Sequence, residues 1–482
     1  MRSGAMRRWL LASLALALLA SCGFGGGEEP AVREDERRAG AELHPRLLAE
    51  FGGAHDAPEA AYVRALGERV AAAADLAGQC TFTLVNSDVV NAFAVPGCYI
   101  YVTRGMMAVI NSEAELAAVL GHELGHIVAA HSRRQQRRSL LRGLGVAAVE
   151  LVTGSERLTE LAGAAAGFFT LRYSRRQEYE ADDLGIGYLA AAGFDPHAAG
   201  DMLAALGRQE EFQARTRAHD AARSIPEWAR THPLAGNRVE RAAETARATG
   251  IADEARPENE ARYLGEVDGL LYGDDPAQGF VLGRRFAHPV MRIGFEAPPG
   301  FTLTNSPQAI RIEGPDGARG EFAGARLPAG GLEAYADALL RQLLGKAAAE
   351  IGAGERTQIN DVPALIVPAM VRTQEGAVAL IVAAFAGEDG SAFHFVLATP
   401  PTPEARAALD PLIRSFRLLS PAEAATLRPL YLRTVTVAPG ENAAVLAARM
   451  ASEHPLDHFL MLNGLPGPEA LRPGARVKIV AR

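Results

Sequence analysis

LAAVLGHELGHIVAAH, residues 116–131, sets His122, Glu123 and His126 inside a run that is otherwise almost wholly apolar. The order His-Glu-x-x-His decides how the chain is read. On a helix, residues four apart share a face, so both imidazoles can reach one ion while Glu123 stands close enough to touch a water there. Ordinary residue frequencies would put this pattern in a chain of such length about once in a hundred. Ser112, with Glu115 three residues later, makes a capping box and predicts that the helix starts there.

The competing reading is two satisfied histidines on a core helix, and a zinc site must do better by supplying a third protein ligand and an open position. No histidine stands at the short downstream spacing of metzincins, so a carboxylate from another helix is needed. SRRQEYEADDLG, residues 174–185, offers one. A helix is predicted from about Ser174 to Ala192, with Gly193 as its C-cap, and it places Glu178 and Asp182 four apart. Glu178 can then bind the metal while Asp182 orients a histidine ring from behind. Glu180 points away from Glu178 and is the poorer ligand.

Outward from this core, the 482 residues exceed one ordinary domain, and 48% hydrophobic residues suffice for a large interior. The net charge of −8, with Lys and Arg scattered, leaves no electrostatic footprint for nucleic acid. Arg2, Arg7 and Arg8 precede a short apolar run, Trp9 to Ala20, with the shape of a signal-peptide core. The run ends in Leu19-Ala20-Ser21-Cys22, which resembles a bacterial lipobox and implies cleavage after residue 21 and lipid on Cys22. Gly23 at the next position favours outer-membrane attachment. Residues 22–40 read as the lipidated cysteine and its flexible tether. Cys80 and Cys98 remain in the body; an oxidising compartment permits a disulfide, and the sequence leaves their separation open. Residues 140–170, the strongest other candidate for a membrane span, are broken by charges and read as two Ala-rich packed helices.

Residues 40–79 are predicted helical, Thr81 to Val85 and Tyr99 to Val102 as strands, and 196–219 and 236–249 as further helices. A linker is expected over 253–279. From 280 to 420 the period changes to strands at 293–295, 364–371, 377–385 and 392–397, with helices near 332–345 and 403–416, an α+β domain with no catalytic constellation. Residues 430–482 predict a strand, two short helices and a strand. That βααβ order, with Pro439-Gly440-Glu441, Leu462-Asn463-Gly464-Leu465 and Arg472-Pro473-Gly474, resembles a LysM glycan-binding module, although Glu441-Asn442 stands where such modules usually carry Asp-Thr.

Asn91-Ala92-Phe93-Ala94, the HELGH at 122–126, Glu178-Tyr179-Glu180-Ala181-Asp182 and Thr231-His232-Pro233 together resemble the M48 family of zinc peptidases, over roughly residues 41–252. The resemblance implies a mostly helical gluzincin-type domain with a small β-sheet, one Zn2+ held by His122, His126 and Glu178, and Glu123 as general base. It implies that Asn91, Ala92, Phe93 and Ala94 form an edge strand that pairs with a substrate backbone, and that Arg238 matches an arginine following the His-Pro pair. For His232 two roles stay open: donating to the oxyanion during catalysis, or occupying the metal's fourth position and keeping the enzyme latent. The lipid anchor in place of transmembrane helices points to the periplasmic lipoprotein branch of the family.

The expected whole is a multidomain α+β lipoprotein of the bacterial periplasm, anchored by Cys22 at the inner leaflet of the outer membrane. It would hydrolyse unfolded or misassembled envelope polypeptides, with peptidoglycan as a partner of the tail. The rivals are a chaperone-like or latent zinc scaffold, which would bind metal without turnover, and a cell-wall hydrolase, suggested only by the tail.

Overall fold

The computed structural model describes residues 31–134, 173–216, 228, 232–233, 237–345, 347–373 and 376–482. Cys22, the signal segment and the two helices expected over 140–170 lie outside the described residues. The described residues are mixed α and β, with the longest helices in the first half and four sheets.

The first described elements are two helices, α1 (Glu34–Glu50) and α2 (Pro58–Ala73). A three-stranded sheet follows, β1 (Thr81–Val85), β2 (Ala92–Val95) and β3 (Tyr99–Thr103), in the order β1-β3-β2, so that β2 is an outer strand. Cys80 and Cys98 are disulfide-bonded across it. After α3 (Arg104–Val109) comes α4 (Glu113–Val128), the helix of the quoted motif. Ser112 caps it, its hydroxyl accepting from the Glu115 N–H at 3.0 Å. The Glu115 carboxylate returns to the Asn111 N–H at 3.1 Å instead of the Ser112 N–H, so the expected reciprocal box is displaced by one residue.

Against α4 lies α5 (Arg175–Ala191), whose N-cap Ser174 pairs with Gln177 in a full capping box. The two helices approach closely because small residues line their crossing. A Cβ on Gly125 would lie 2.7 Å from the Ala181 carbonyl oxygen, and one on Gly185 would lie 3.0 Å from backbone atoms of Gly121 and His122. This closeness brings Glu178 within reach of the histidine face of α4. Helices α6 (Ala198–Thr216) and α7 (Arg238–Ala248) pack behind the pair, as the periodicity of 196–219 and 236–249 predicts.

Residues 253–279 are more ordered than a linker requires. Helix α8 (Glu260–Glu266) buries Tyr263 and Leu264, Val267 and Leu270 follow them into the core, and β4 (Leu271–Tyr272) joins a sheet with the tail. The acidic surface of this stretch masks an apolar stripe at Tyr263, Leu264, Val267 and Leu270, which is helical in spacing.

Beyond it, β5 (Phe280–Leu282), β6 (Arg285–His288) and β7 (Ile293–Glu296) form a small sheet. Next comes an eight-stranded sheet in which β8 (Thr302–Asn305), β9 (Ile310–Glu313), β10 (Arg319–Arg326), β11 (Ala349–Ile351) and β12 (Glu355–Ile359) flank the central β13 (Val362–Thr373), β14 (Gly376–Ala386) and β15 (Ser391–Thr399). Alternation on β14 sends Ile381, Ala383 and Phe385 into a phenylalanine-rich core and Leu380 and Val382 under helix α9 (Gly331–Leu344). The single helix expected over 403–416 is two, α10 (Pro403–Ala407) and α11 (Asp410–Arg414), because Pro411 cannot supply the N–H that a continuous helix would need.

β16 (Arg417–Leu418), which pairs with β7, and α12 (Pro421–Thr426) lead to the tail, which holds β17 (Leu430–Thr436), α13 (Ala443–Ala447), α14 (Pro455–Leu462) and β18 (Arg476–Ala481). Its interior is continuous with that of the first unit: Leu446, Phe459, Leu462, Val477 and Ile479 share one buried cluster with Leu116, Leu120 and Leu206. The fully buried Lys478 donates from Nζ to the Ala108 and Ile110 carbonyls, just ahead of α4, at 2.7 and 2.6 Å. Among the described residues no helix is long and apolar enough to cross a membrane.

Candidate metal centre

His122 and His126 project from α4 toward Glu178 of α5, and His232 enters the same space. One donor atom from each of the four lies within 4.8 Å of the others, and all four side chains are buried. The Nε2 atoms of His122 and His126 are 3.0 Å apart, and Nδ1 of His232 is 3.2 Å from both His122 Nε2 and Glu178 Oε1.

The lone pairs behind these contacts can be assigned on the His122 side. An ionised carboxylate only accepts, so Asp182, at 2.9 Å, takes the Nδ1–H of His122 and leaves its Nε2 an acceptor aimed inward. Arg238 then binds both carboxylates: Nε and Nη2 donate to Asp182 at 2.9 and 2.7 Å, and Nη1 lies 2.8 Å from Glu178 Oε2. Burial pushes the Asp182 carboxyl up, but Arg238 and His122 more than reverse this and hold it well below the usual range. Burial likewise opposes ionisation of Glu178, and His232, His122 and Arg238 together keep its carboxyl low. Buried imidazole and carboxylate acceptors pressed together need a cation, and three histidines with one carboxylate suit zinc. The donor set fits the metal.

Glu123 sits at the edge of this group. Its Oε1 is buried without a hydrogen-bond partner, 3.6 Å from His232 Nε2, and the Ala94 backbone amide donates to its carboxylate. Burial pushes it up to about 7, with His122 lowering and Glu178 raising it. That places a proton acceptor beside the metal position and ties it to outer strand β2.

The residues expected at the substrate side divide. Ala92 and Ala94 turn into the main core beneath α4, whereas Phe93 faces the other way and stacks on Tyr101 and Phe51, with centroids 4.8 and 4.9 Å apart. Asn91 is fully buried, with neither side-chain polar atom hydrogen-bonded. Arg238 is buried and occupied by Glu178 and Asp182.

Other residues around the centre carry no signal in a four-residue period. Tyr173 stacks on His126 at 4.0 Å and Trp228 on His232 at 4.3 Å, aromatic walls from segments far apart in sequence. His131 reaches His126 from past the end of α4, with Nδ1 atoms 2.8 Å apart. Its place at the close of the quoted apolar run was the one available hint.

Comparison with known proteins agrees with this geometry. Residues 57–246 match the model of peptidase family M48. A beta-barrel assembly-enhancing protease of Yersinia pestis is 32% identical over 188 residues, covering 37% of this chain and 37% of that protein. A putative beta-barrel assembly-enhancing protease of Vibrio cholerae is 34% identical over 199 residues, 39% of each chain. The mitochondrial metalloendopeptidase OMA1 of Arabidopsis thaliana is 37% identical over 126 residues, covering 26% of this chain and 25% of that one. These matches span well under half the length of the relatives, and the family match, residues 57–246, contains all four donors. The chain carries a peptidase family M48 domain over residues 57–246.

Proposed function

We propose that the protein is a lipid-anchored periplasmic zinc endopeptidase acting on unfolded or misassembled envelope polypeptides, and that the arrangement described is its latent form. The observation that carries this reading is the convergence of His122, His126, Glu178 and His232 beside the unpartnered Glu123 oxygen. His122, His126 and Glu178 would hold the zinc throughout. His232, within ligand distance of the same point, would take the fourth position at rest and withdraw when substrate arrives.

When bound, the zinc supplies Lewis-acid polarisation of the scissile carbonyl and makes water a competent nucleophile near neutral pH. Glu123 accepts one proton from the attacking water as its oxygen bonds to the carbonyl carbon, then delivers that proton to the amide nitrogen as the C–N bond breaks. The products are a carboxylic acid and an amine, which part as carboxylate and ammonium once the second water proton passes between them, and no covalent enzyme adduct is needed. Strand β2 would receive the substrate backbone in extended form, its outer position leaving one edge for pairing. Arg238 would keep Glu178 and Asp182 ionised and in place.

The envelope setting is supported by the lipobox-like Leu19 to Cys22, by the similarity to bacterial beta-barrel assembly-enhancing proteases and by the Cys80–Cys98 disulfide. The tail would hold peptidoglycan through its exposed loops. Purified protein incubated with casein tests the enzymatic reading. Glu123→Gln should abolish cleavage while zinc stays bound, and His232→Ala should raise it at least several-fold over wild type. Zinc-loaded His232→Ala that leaves casein intact would favour the scaffold reading instead.

A further inference from the structure

We infer that Glu180 and His131 form a relay that fixes the ring of His126, doing for that ligand what Asp182 does for His122; the inference rests on zinc being held at this centre. α4 ends at Val128, and Ala130 takes a left-handed φ of 53°, which turns the chain back and returns His131 beside the helix it has just left. The His131 side chain is fully buried, its ring centroid 4.9 Å from that of His126. His131 Nδ1 is 2.8 Å from His126 Nδ1, and His131 Nε2 is 3.2 Å from Glu180 Oε2. Arg134 donates to the same Glu180 oxygen at 2.9 Å.

With neutral rings and the metal on His126 Nε2, one placement of protons satisfies the contacts from Glu180 to His126. The Glu180 carboxylate accepts, so His131 must carry its hydrogen on Nε2 and donate outward. A neutral imidazole protonated at Nε2 has a lone pair at Nδ1. His126 must therefore donate from its own Nδ1, and its Nε2 lone pair is left facing the metal position. Reversing the chain would turn a lone pair of His131 toward the carboxylate, which is repulsive. Each histidine of the motif is thus set by a carboxylate from α5: His122 by Asp182 directly, His126 by Glu180 through one intervening ring.

The arrangement gives Glu180 a use. Its position two residues from Glu178 turns it away from the metal, and that direction meets His131. Its side chain is 38% exposed while His131 is fully buried, so the relay leads from solvent to a buried ligand, and a surface residue sets how well the metal is held. Positioning partners of this kind are generally worth 10- to 100-fold in metal affinity.

The test measures zinc affinity by competition with a fluorescent chelator, on the full chain, for wild type, His131→Leu, His131→Asn, Glu180→Ala and the double variant His131→Leu/Glu180→Ala. His131→Leu should weaken binding roughly 10- to 100-fold, and Glu180→Ala on the order of tenfold. His131→Asn, whose amide oxygen can stand where Nδ1 stood, should recover most of the loss. Glu180→Ala should add nothing in the His131→Leu background, because the relay is already cut. Binding by His131→Leu within twofold of wild type, or losses that multiply in the double variant, would overturn the relay. Melting of the metal-free proteins separates loss of fold from loss of affinity, and the half-exposed Glu180 gives a readout even where His131→Leu does not fold. A wild type that takes up no zinc would remove the metal reading itself, a different failure.

Discussion

Lys478 donates its buried ammonium to the carbonyl of Ala108, 370 residues earlier, at 2.7 Å. The same nitrogen reaches Ile110, so the tail grips the backbone immediately ahead of the metal-binding helix. Burial pulls the ammonium down to about 7, with the Glu115 carboxylate opposing that shift. Removing residues 430–482 would leave two carbonyls without a donor and open the shared apolar core. The truncated chain should therefore lose stability, and Lys478→Met should cost about 2–4 kcal/mol in urea unfolding. A truncated protein that melts with the full chain would refute this. Peptidoglycan binding is accordingly better tested with substitutions in the exposed tail loops than by deletion.

Gly125→Ala should damage the metal centre without touching a ligand. The new Cβ would meet the Ala181 carbonyl oxygen at 2.7 Å, and backbone cannot yield as a side chain can. Separating α4 from α5 carries Glu178 away from the two histidines. We expect a stability loss of about 1–3 kcal/mol and substoichiometric zinc, read by metal analysis of the purified variant. Full zinc content and unchanged melting would count against the close crossing.

Acidification should weaken the joint between tail and metallopeptidase domain. His458 of α14 accepts a hydrogen bond from Tyr272 at 2.8 Å, stacks on Phe212 at 5.2 Å, and is held by burial at about 4 against an ordinary 6.5. Between those values the unfolded chain binds the proton and the folded chain does not, so stability rises with pH there and falls as pH drops from 6.5 toward 4. The full effect is about 3 kcal/mol. His458→Gln should flatten this part of the stability profile; a profile identical to wild type would exclude His458 as its source.

The Cys80–Cys98 bond closes an 18-residue separation that contains β1 and β2 and ends at β3. Replacing both cysteines with serine should cost about 3 kcal/mol by the loop-entropy argument. Unfolding with and without a reducing agent checks it in wild type, and the double serine variant should be insensitive to the reductant.

The centre was readable where its chemistry repeats with the helix. His122, Glu123 and His126 on one helix, and Glu178 and Asp182 four apart on another, follow from a period of 3.6 residues. Trp228 and Tyr173 come to His232 and His126 through tertiary folding alone, and His131 arrives by a turn that the period does not describe. Arg238 was legible as a residue following the His-Pro pair, but its bidentate grip on Asp182 required the packing of α7 against α5. In the accessory domain, apolar runs located β7, β13, β14 and β15, whereas other strands, such as the eight-residue Arg319–Arg326 with its Arg, Gly and Glu positions, carry too few apolar residues to register.

The continuity of one interior from Leu116 to Ile479 has a consequence for biosynthesis. The ribosome makes the metal-binding helix long before it makes β18, yet the cluster that supports that helix stays incomplete until residues 476–481 are in place. Assembly of the metal centre thus waits on a strand made some 350 residues after its first ligands. Chains cut short in the tail would carry every metal ligand and lack the scaffold that holds them together.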